Sequence, residues 1–269
     1  MKTIDYKPTQ LHTFAICAYN KSRFLEHCVQ SLMNQTIKSN IILCTSTPNT
    51  WIRYVAEKYG LLLFVRDGKS NIRDDWNYAY DCADTPYVTL AHQDDIYNSL
   101  YSEAFFNKMQ KHSSDDFSIF ISGYRPLKNK AVTLDKNSII RFILRSPYLS
   151  EALSYLKPVR ILPMRFGNPI CCPTVTYNKK QLGKSIFTSD MSFNIDWDTF
   201  LKIAGLDAPF LYDSRSLVYY RIHDGATSKE FIDNSQRITE DTAMFNKFWP
   251  TSITNLIMKL YVRAYDTYK

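Results

Sequence analysis

PYVTLAHQDDIYN, Pro86 to Asn98, is the stretch whose reading decides the fold. Tyr87 to Ala91 are aromatic, β-branched or apolar, and the proline before them can only open a strand or lie at a sheet edge. The run therefore predicts a buried strand that ends in the carboxylates Asp94 and Asp95. Adjacent carboxylates repel, so a pair at the mouth of a strand persists most easily where a divalent cation or a cationic partner neutralises it. Open α/β sheets bind ligands at that edge. A solvated Asp-Asp turn is the alternative.

The preceding residues repeat one pattern. Phe14 to Ala18 predicts a strand that ends at Tyr19 and Asn20, and Phe24, Leu25, Cys28, Val29, Leu32 and Met33 then recur at helical spacing. Ile41 to Cys44 predicts the second strand, Thr45 to Asn49 a capping turn, and Trp51 to Tyr59 a helix closed by Gly60. Leu61 to Val65 and the Asp67-Gly68 turn lead to a third helix through Ile72, Trp76, Ala79, Tyr80 and Ala83. Three strand-helix repeats feeding a fourth strand argue for a parallel, right-handed, doubly wound α/β sheet whose upper edge gathers the loops at Tyr19, Thr45, Asp67 and Asp94. Beyond it lie a helix from Tyr101, a strand over Ser118 to Ser122, and a half-buried strand broken by Pro169 and Pro173, where Cys172 is expected to line an acceptor pocket. A helix start follows at Asp196-Trp197-Asp198, where the macrodipole alone accounts for acidic residues. Leu217 to Ile222 predicts a strand before His223, and Ile253 to Ala264 an amphipathic helix that packs on the domain or lies on a membrane.

Composition excludes several classes. Six cysteines without a C-x-x-C pair or a His spacing of a zinc site suit reduced, buried thiols. Seven dispersed glycines leave no phosphate-cradling loop, and no basic stripe with interleaved aromatics points to nucleic acid. Neither a signal-peptide core nor a membrane-spanning run is present, so the cytosol is the expected compartment. The net charge of +7 is concentrated. Lys and Arg against Asp and Glu number 12 to 13 over residues 1–124, 9 to 2 over 125–165 and 12 to 11 over 166–269. The arginines of the middle segment, Arg141, Arg145, Arg160 and Arg165, face phosphates, an anionic membrane surface or plain solvent.

Five stretches fall in order on the pattern of the inverting family 2 glycosyltransferases of the GT-A fold, which the chain resembles over most of its length. FAICAYN resembles the first strand and its ending, Asp75-Trp76-Asn77 the donor-contacting helix, and HQDD, His92 to Asp95, the D-x-D-D position. Ile195 to Asp198 is similar to the E-D-W-D stretch, and YRIHDGATS to the R-x-H loop over the donor diphosphate. The resemblance implies a mostly parallel GT-A sheet flanked by helices, with a donor half over 1–124, an acceptor-side half over 125–250 in the same compact domain, and a C-terminal helix over 251–269. It implies donor contacts at Ala18, Tyr19, Asn20, Thr45, Ser46, Asp75, Asn77, His92 and Gln93, and Mn2+ or Mg2+ at Asp94, Asp95 and His223. Asp196 becomes the candidate base, with Trp197, Asp198 and Cys172 on the acceptor side. The implied partners are a nucleotide-diphosphate sugar and a glycan or lipid-linked acceptor of surface polysaccharide synthesis, with peripheral contact at the inner membrane face. His92 stands where the family has an Asp, Thr45-Ser46 where an Asp follows the second strand, and Ile195 where a Glu precedes the base.

Three other readings compete with it, of which a structural scaffold is opposed by the clustered carboxylates with a downstream Asp-Trp-Asp and His. A sugar-phosphate nucleotidyltransferase shares the fold type but needs a glycine-rich loop absent here. A catalytically silent nucleotide or glycan binder is motivated by His92 and Thr45-Ser46, and donor turnover separates it from an enzyme.

Overall fold

The computed structural model describes residues 8–111, 116–128, 131–133, 135–223 and 236–263. Its strands are β1 (His12–Ala18), β2 (Asn40–Thr45), β3 (Leu62–Val65), β4 (Tyr87–His92), β5 (Ile96–Tyr97), β6 (Ile119–Lys128), β7 (Ala131–Val132), β8 (Val175–Asn178) and β9 (Phe210–Ile222). They form one sheet in the order β3-β2-β1-β4-β8-β6-β9-β5, with β7 on β6. The first four are parallel, as the repeats require, and their register puts Ala18 level with Thr45, Cys17 with His92 and Thr45 with Val65. The ends of four strands thus share one edge.

The helices linking them are α1 (Leu25–Met33), α2 (Thr50–Tyr59) and α3 (Ile72–Cys82), with α4 (Tyr101–Met109) after β5. Asn49 and Asn71 cap α2 and α3 by accepting from the N–H groups of Ile52 and Asp74. Gly60 ends α2 at φ 62°, a conformation that glycine adopts without steric cost. Alternation along β1 sends Phe14 and Ile16 into a core with α1, α2 and α4, and Ala15 into a second core with α3. The sheet is therefore covered on both faces.

The second half departs from the repeat. β8 inserts antiparallel between β4 and β6, fully buried, so the expected broken, half-buried strand is instead a 3-10 turn at Cys172–Thr174 followed by a central strand. β6 runs on to Lys128, so the boundary expected at 124 falls inside a strand. β9 pairs parallel to β6 past a bulge, where a Cβ on Gly123 would stand 2.7 Å from the Ser214 carbonyl oxygen.

The basic segment folds into α5 (Lys136–Arg145), α6 (Glu151–Ser154) and α7 (Lys157–Ile161). Two of its arginines are not at the surface. Arg145 donates to the Pro169 carbonyl and the Tyr212 hydroxyl, and Arg160 donates to the carbonyls of Ser154, Ala204 and Leu206. Both are buried and spend their donors on backbone, which satisfies a charge that would otherwise be costly inside. The remaining helices are α8 (Lys179–Leu182), α9 (Ile195–Ala204), α10 (Gln236–Asn246) and α11 (Thr251–Tyr261).

Candidate active site

The edge where the four strand ends meet is a set of short polar ties between loops. Gln93 holds the Tyr19 backbone at both ends, accepting from its N–H at 3.1 Å and donating to its carbonyl at 2.8 Å. Asn20 follows at φ 51°, a left-handed conformation that asparagine tolerates better than most residues, and its N–H donates to Thr47 Oγ1. Thr47 is oriented in turn by its N–H on Thr45 Oγ1. Beside them the Asp75 carboxylate accepts three hydrogen bonds: Ser46 and Ser70 hydroxyls donate to Oδ2 and Arg66 Nε to Oδ1. A carboxylate thus reaches the tip of β2 from α3, where the chain itself has Thr45-Ser46. Ala18 closes β1 beneath them, buried. Asn77 turns the other way and exchanges two hydrogen bonds with the Phe187 backbone, so its amide fastens a neighbouring loop instead of facing a donor.

At the mouth of β4, Asp94 Oδ2 lies 2.9 Å from His223 Nε2, joining residues 129 apart in sequence. Antiparallel pairing of β5 with β9 brings this about, setting Ile96 against Tyr219. Arg221 completes the junction by donating Nε to the Asp94 carbonyl and its N–H to Asp95 Oδ1, while its guanidinium lies 4.3 Å above the Phe24 ring. Phe24 also packs on His223 with centroids 5.0 Å apart.

Asp95 departs from expectation. It is buried, its Oδ2 has no hydrogen-bond partner among the described residues, and burial followed by the charge of Asp94 pushes its carboxyl well above the usual range. It faces the β9 backbone, which leaves Asp94 and His223 as the accessible pair. His92 stacks on Trp76 at 5.2 Å, and burial lowers its imidazole, so this position presents a neutral ring where the family carries an Asp.

Asp196 opens α9. Its Oδ1 accepts from the Trp197 N–H at 2.7 Å and its Oδ2 from Asn168 Nδ2 at 3.0 Å. Burial raises its carboxyl to about 6, against partial relief from the Trp197 N–H, Arg141 and Asn168. A half-buried carboxylate near neutrality is suited to taking a proton. Burial raises the thiols of Cys171 and Cys172, and the charge of Asp196 raises both further.

Three expected acceptor-side residues are elsewhere. Trp197 is wholly in the core, edge-on to Phe245 at 5.2 Å, because a helix that buries this face leaves no room for it outside. Asp198 is held by Lys202 and Lys247; burial alone would raise its carboxyl, but those two ammonium groups keep it below the usual range. Cys172 is tucked under the 3-10 turn, with its sulfur 4.0 Å from the Tyr177 hydroxyl. The Asp224 to Ser228 part of the R-x-H loop lies outside the described residues.

Reading the sequence alone passes over three supports. Asn168 orients Asp196. Arg221, the R of the R-x-H pattern, ties both aspartates to β9. Glu240, on α10, accepts from the N–H groups of Ser192, Phe193 and Asn194 at 2.8 to 2.9 Å and so fastens the entry to α9. Nothing local in the sequence marks Glu240.

A curled, mostly parallel sheet with its polar groups at the strand ends defines a nucleotide-sugar transferase fold of the GT-A type. The chain belongs to glycosyl transferase family 2, whose family model matches residues 13–168. That match stops short of Asp196 and His223. Among solved structures, S. aureus TarS 1–349 is similar at a TM-score of 0.60 and 16% identity, covering 96% of this chain and 72% of that one. The mannosyltransferase PcManGT from Pyrobaculum calidifontis, in complex with GDP-Man and Mn2+, gives 0.61 at 13% identity, with 97% and 70% covered. Glucosyl-3-phosphoglycerate synthase from Mycobacterium tuberculosis gives 0.55 at 11%, with 88% and 79% covered. At these identities the likeness is one of fold. No curated protein matches the chain by sequence. Among the described residues no helix is long and apolar enough to cross a membrane.

Proposed function

We propose that this chain is an inverting glycosyltransferase that moves a sugar from a nucleotide-diphosphate donor to a hydroxyl of a glycan or lipid-linked acceptor, in the assembly of a surface polysaccharide. The observation that carries the reading is the Asp94–His223 pair set at the edge where the ends of four parallel strands meet. Similar structures hold UDP-GlcNAc in TarS and GDP-Man with Mn2+ in PcManGT, which supports a nucleotide-sugar donor here.

A carboxylate oxygen beside an imidazole nitrogen, both partly exposed, is a mixed oxygen and nitrogen donor set that suits Mn2+ better than the harder Mg2+. Among the described residues no three such side chains converge. Asp94 and His223 would hold such a cation, which would supply Lewis-acid stabilisation to a leaving diphosphate. The chain's own residues do the rest. Gln93 and the Asn20 turn hold the Tyr19 backbone as the nucleoside wall, and the Asp75 carboxylate with Ser46 and Arg66 offers hydrogen-bonding groups to a base. Asp196, oriented by Asn168, takes the proton of the acceptor hydroxyl as that oxygen attacks the anomeric carbon from the side opposite the diphosphate. Attack from that side inverts the centre.

The test is a thermal-shift panel of UDP-, GDP-, dTDP- and CMP-sugars, with and without Mn2+, on the wild type and on Asp94→Ala. Ligand at 100 times its Kd adds about 2.7 kcal/mol. One donor should stabilise the wild type in a metal-dependent way and lose about 100-fold in affinity with Asp94→Ala, in line with the several kcal/mol a catalytic metal supplies. Product of unchanged anomeric configuration, or a donor shift indifferent to Asp94, would sink the reading. Binding without turnover leaves a silent nucleotide-sugar binder.

A further inference from the structure

Helix α5 is built inside out. On a helical wheel Ile139, Ile140, Phe142 and Ile143 fall with Lys136 on one side, and all five are exposed, Ile140 by 53% and Ile143 by 61%. The opposite side, with Asn137, Ser138, Arg141 and Arg145, is the one turned to the protein. Helices of water-soluble proteins present the reverse arrangement. The apolar surface continues beyond α5. The helix packs on the 3-10 turn Leu162–Phe166, whose Leu162 and Phe166 are exposed, and that turn meets α11, with Trp249 Nε1 donating to the Arg165 carbonyl and Gly167 against the Tyr261 ring. On α11 Leu256 and Leu260 are each 62% exposed.

The exposed charges along these elements are cationic: from Lys136 to Ser150, from Lys157 to Asn168 and from Pro250 to Arg263 there is no Asp or Glu, while Lys136, Arg165, Lys259 and Arg263 are exposed. The flanking carboxylates are engaged, Asp135 in capping α5 and Glu151 with Lys108. A second copy of this chain docking the same face would set those cations against one another. An apolar face rimmed by Lys and Arg is complementary to the acyl boundary and phosphates of an anionic bilayer.

We propose that α5, the Leu162–Phe166 turn and α11 form a surface that lies on an anionic lipid bilayer. The surface adjoins the acceptor side of the site, since Arg141 on α5 acts on Asp196 and a cleft beside it is lined by Tyr220 and Ile222 at the end of β9. Docking there brings Asp196 to the membrane plane, where a lipid-linked hydroxyl would be presented. That last consequence rests on the transferase reading, while the docking itself does not.

Vesicle co-sedimentation tests it, using phosphatidylcholine with and without phosphatidylglycerol. The wild type should bind the anionic vesicles about tenfold or more tighter than the neutral ones, and lose that preference at high salt. Ile140→Glu with Ile143→Glu should weaken binding about tenfold or more, with thermal melting and donor thermal shift unchanged. Lys136→Glu with Arg165→Glu, which leaves the apolar residues in place, should lower binding to anionic vesicles only. Absence of vesicle binding overturns the proposal, as does a stable dimer in light scattering that Ile140→Glu with Ile143→Glu takes apart. Because donor shift is read on the same samples, failure of the transferase reading and failure of docking are seen separately.

Discussion

The donor edge and the base differ in how far the chain must travel to build them. Around Tyr19, Thr45 and His92 the residues lie at the end of a strand or in the loop directly after it, and the loops are tied by a few short hydrogen bonds among themselves and to Asp75 on α3. Asp196 instead depends on Asn168 from before β8, on Glu240 from α10 and on Arg160, which gathers the carbonyls at the far end of α9. One region is a property of local sequence, the other of tertiary assembly. Lesions near the base should therefore be larger and spread further than lesions at the donor edge.

The largest expected effect is at Asp196. Asp196→Asn should lower transfer by about 10²- to 10⁴-fold with donor affinity nearly intact. Because the folded carboxyl is raised from 3.8 to about 6, the folded state binds more protons than the unfolded one in that window and stability falls as pH rises through it. A neutral amide in place of the carboxylate removes the penalty, so the variant should gain up to about 3 kcal/mol at pH 7, and wild-type transfer should fall below about pH 6. Substantial residual transfer would take Asp196 out of the role. At the foot of the donor half, buried His12 is held by Ser39 and Thr89, and burial lowers its imidazole to about 3. Its contribution is present above about 6.5 and is lost as pH falls, on the order of 3 kcal/mol by pH 4. His12→Gln should flatten that dependence in denaturant titrations; an unchanged slope would place the acid sensitivity elsewhere.

Glu240→Gln tests the long-range support. Replacing charge-assisted acceptors by neutral ones should cost about 1 to 2 kcal/mol, and turnover measured well below Tm should fall while donor affinity holds. Turnover matching wild type would make Glu240 a merely structural tie. The smallest effect should come from Asn20→Gly, which relieves a left-handed backbone without removing the N–H on Thr47; stability should move within about 0.5 kcal/mol. A large loss there would break the contrast, showing the donor edge to be as cooperative as the base.

The same contrast governs what could be read from the residues in order. Strands β1 to β4 and helices α1 to α3 follow from apolar periodicity, asparagine caps and Gly60, and Asp94 lands at a strand mouth because β4 announces itself. Pattern alone misplaces Trp197, since an aromatic between two aspartates looks like a site residue until Phe245 is packed against it. It also puts Arg145 and Arg160 at the surface, because backbone carbonyls that satisfy a buried guanidinium leave no trace in composition. Asp95 is similar: its burial is decided by where β9 pairs, more than a hundred residues later. β8, read as a half-buried strand, is central because it is drawn between β4 and β6.

Glu240 also sets an order of events during synthesis. Domains fold as the chain emerges, N-terminal parts first, at roughly 5 to 20 residues per second. The β1–β4 layer and its donor loops can be complete while residues 192–194 still lack the carboxylate that receives their N–H groups. A nascent or prematurely ended chain stopping before α10 would thus carry formed strand-end loops beside an unfastened Asp196, and the site is complete only once α10 has been made.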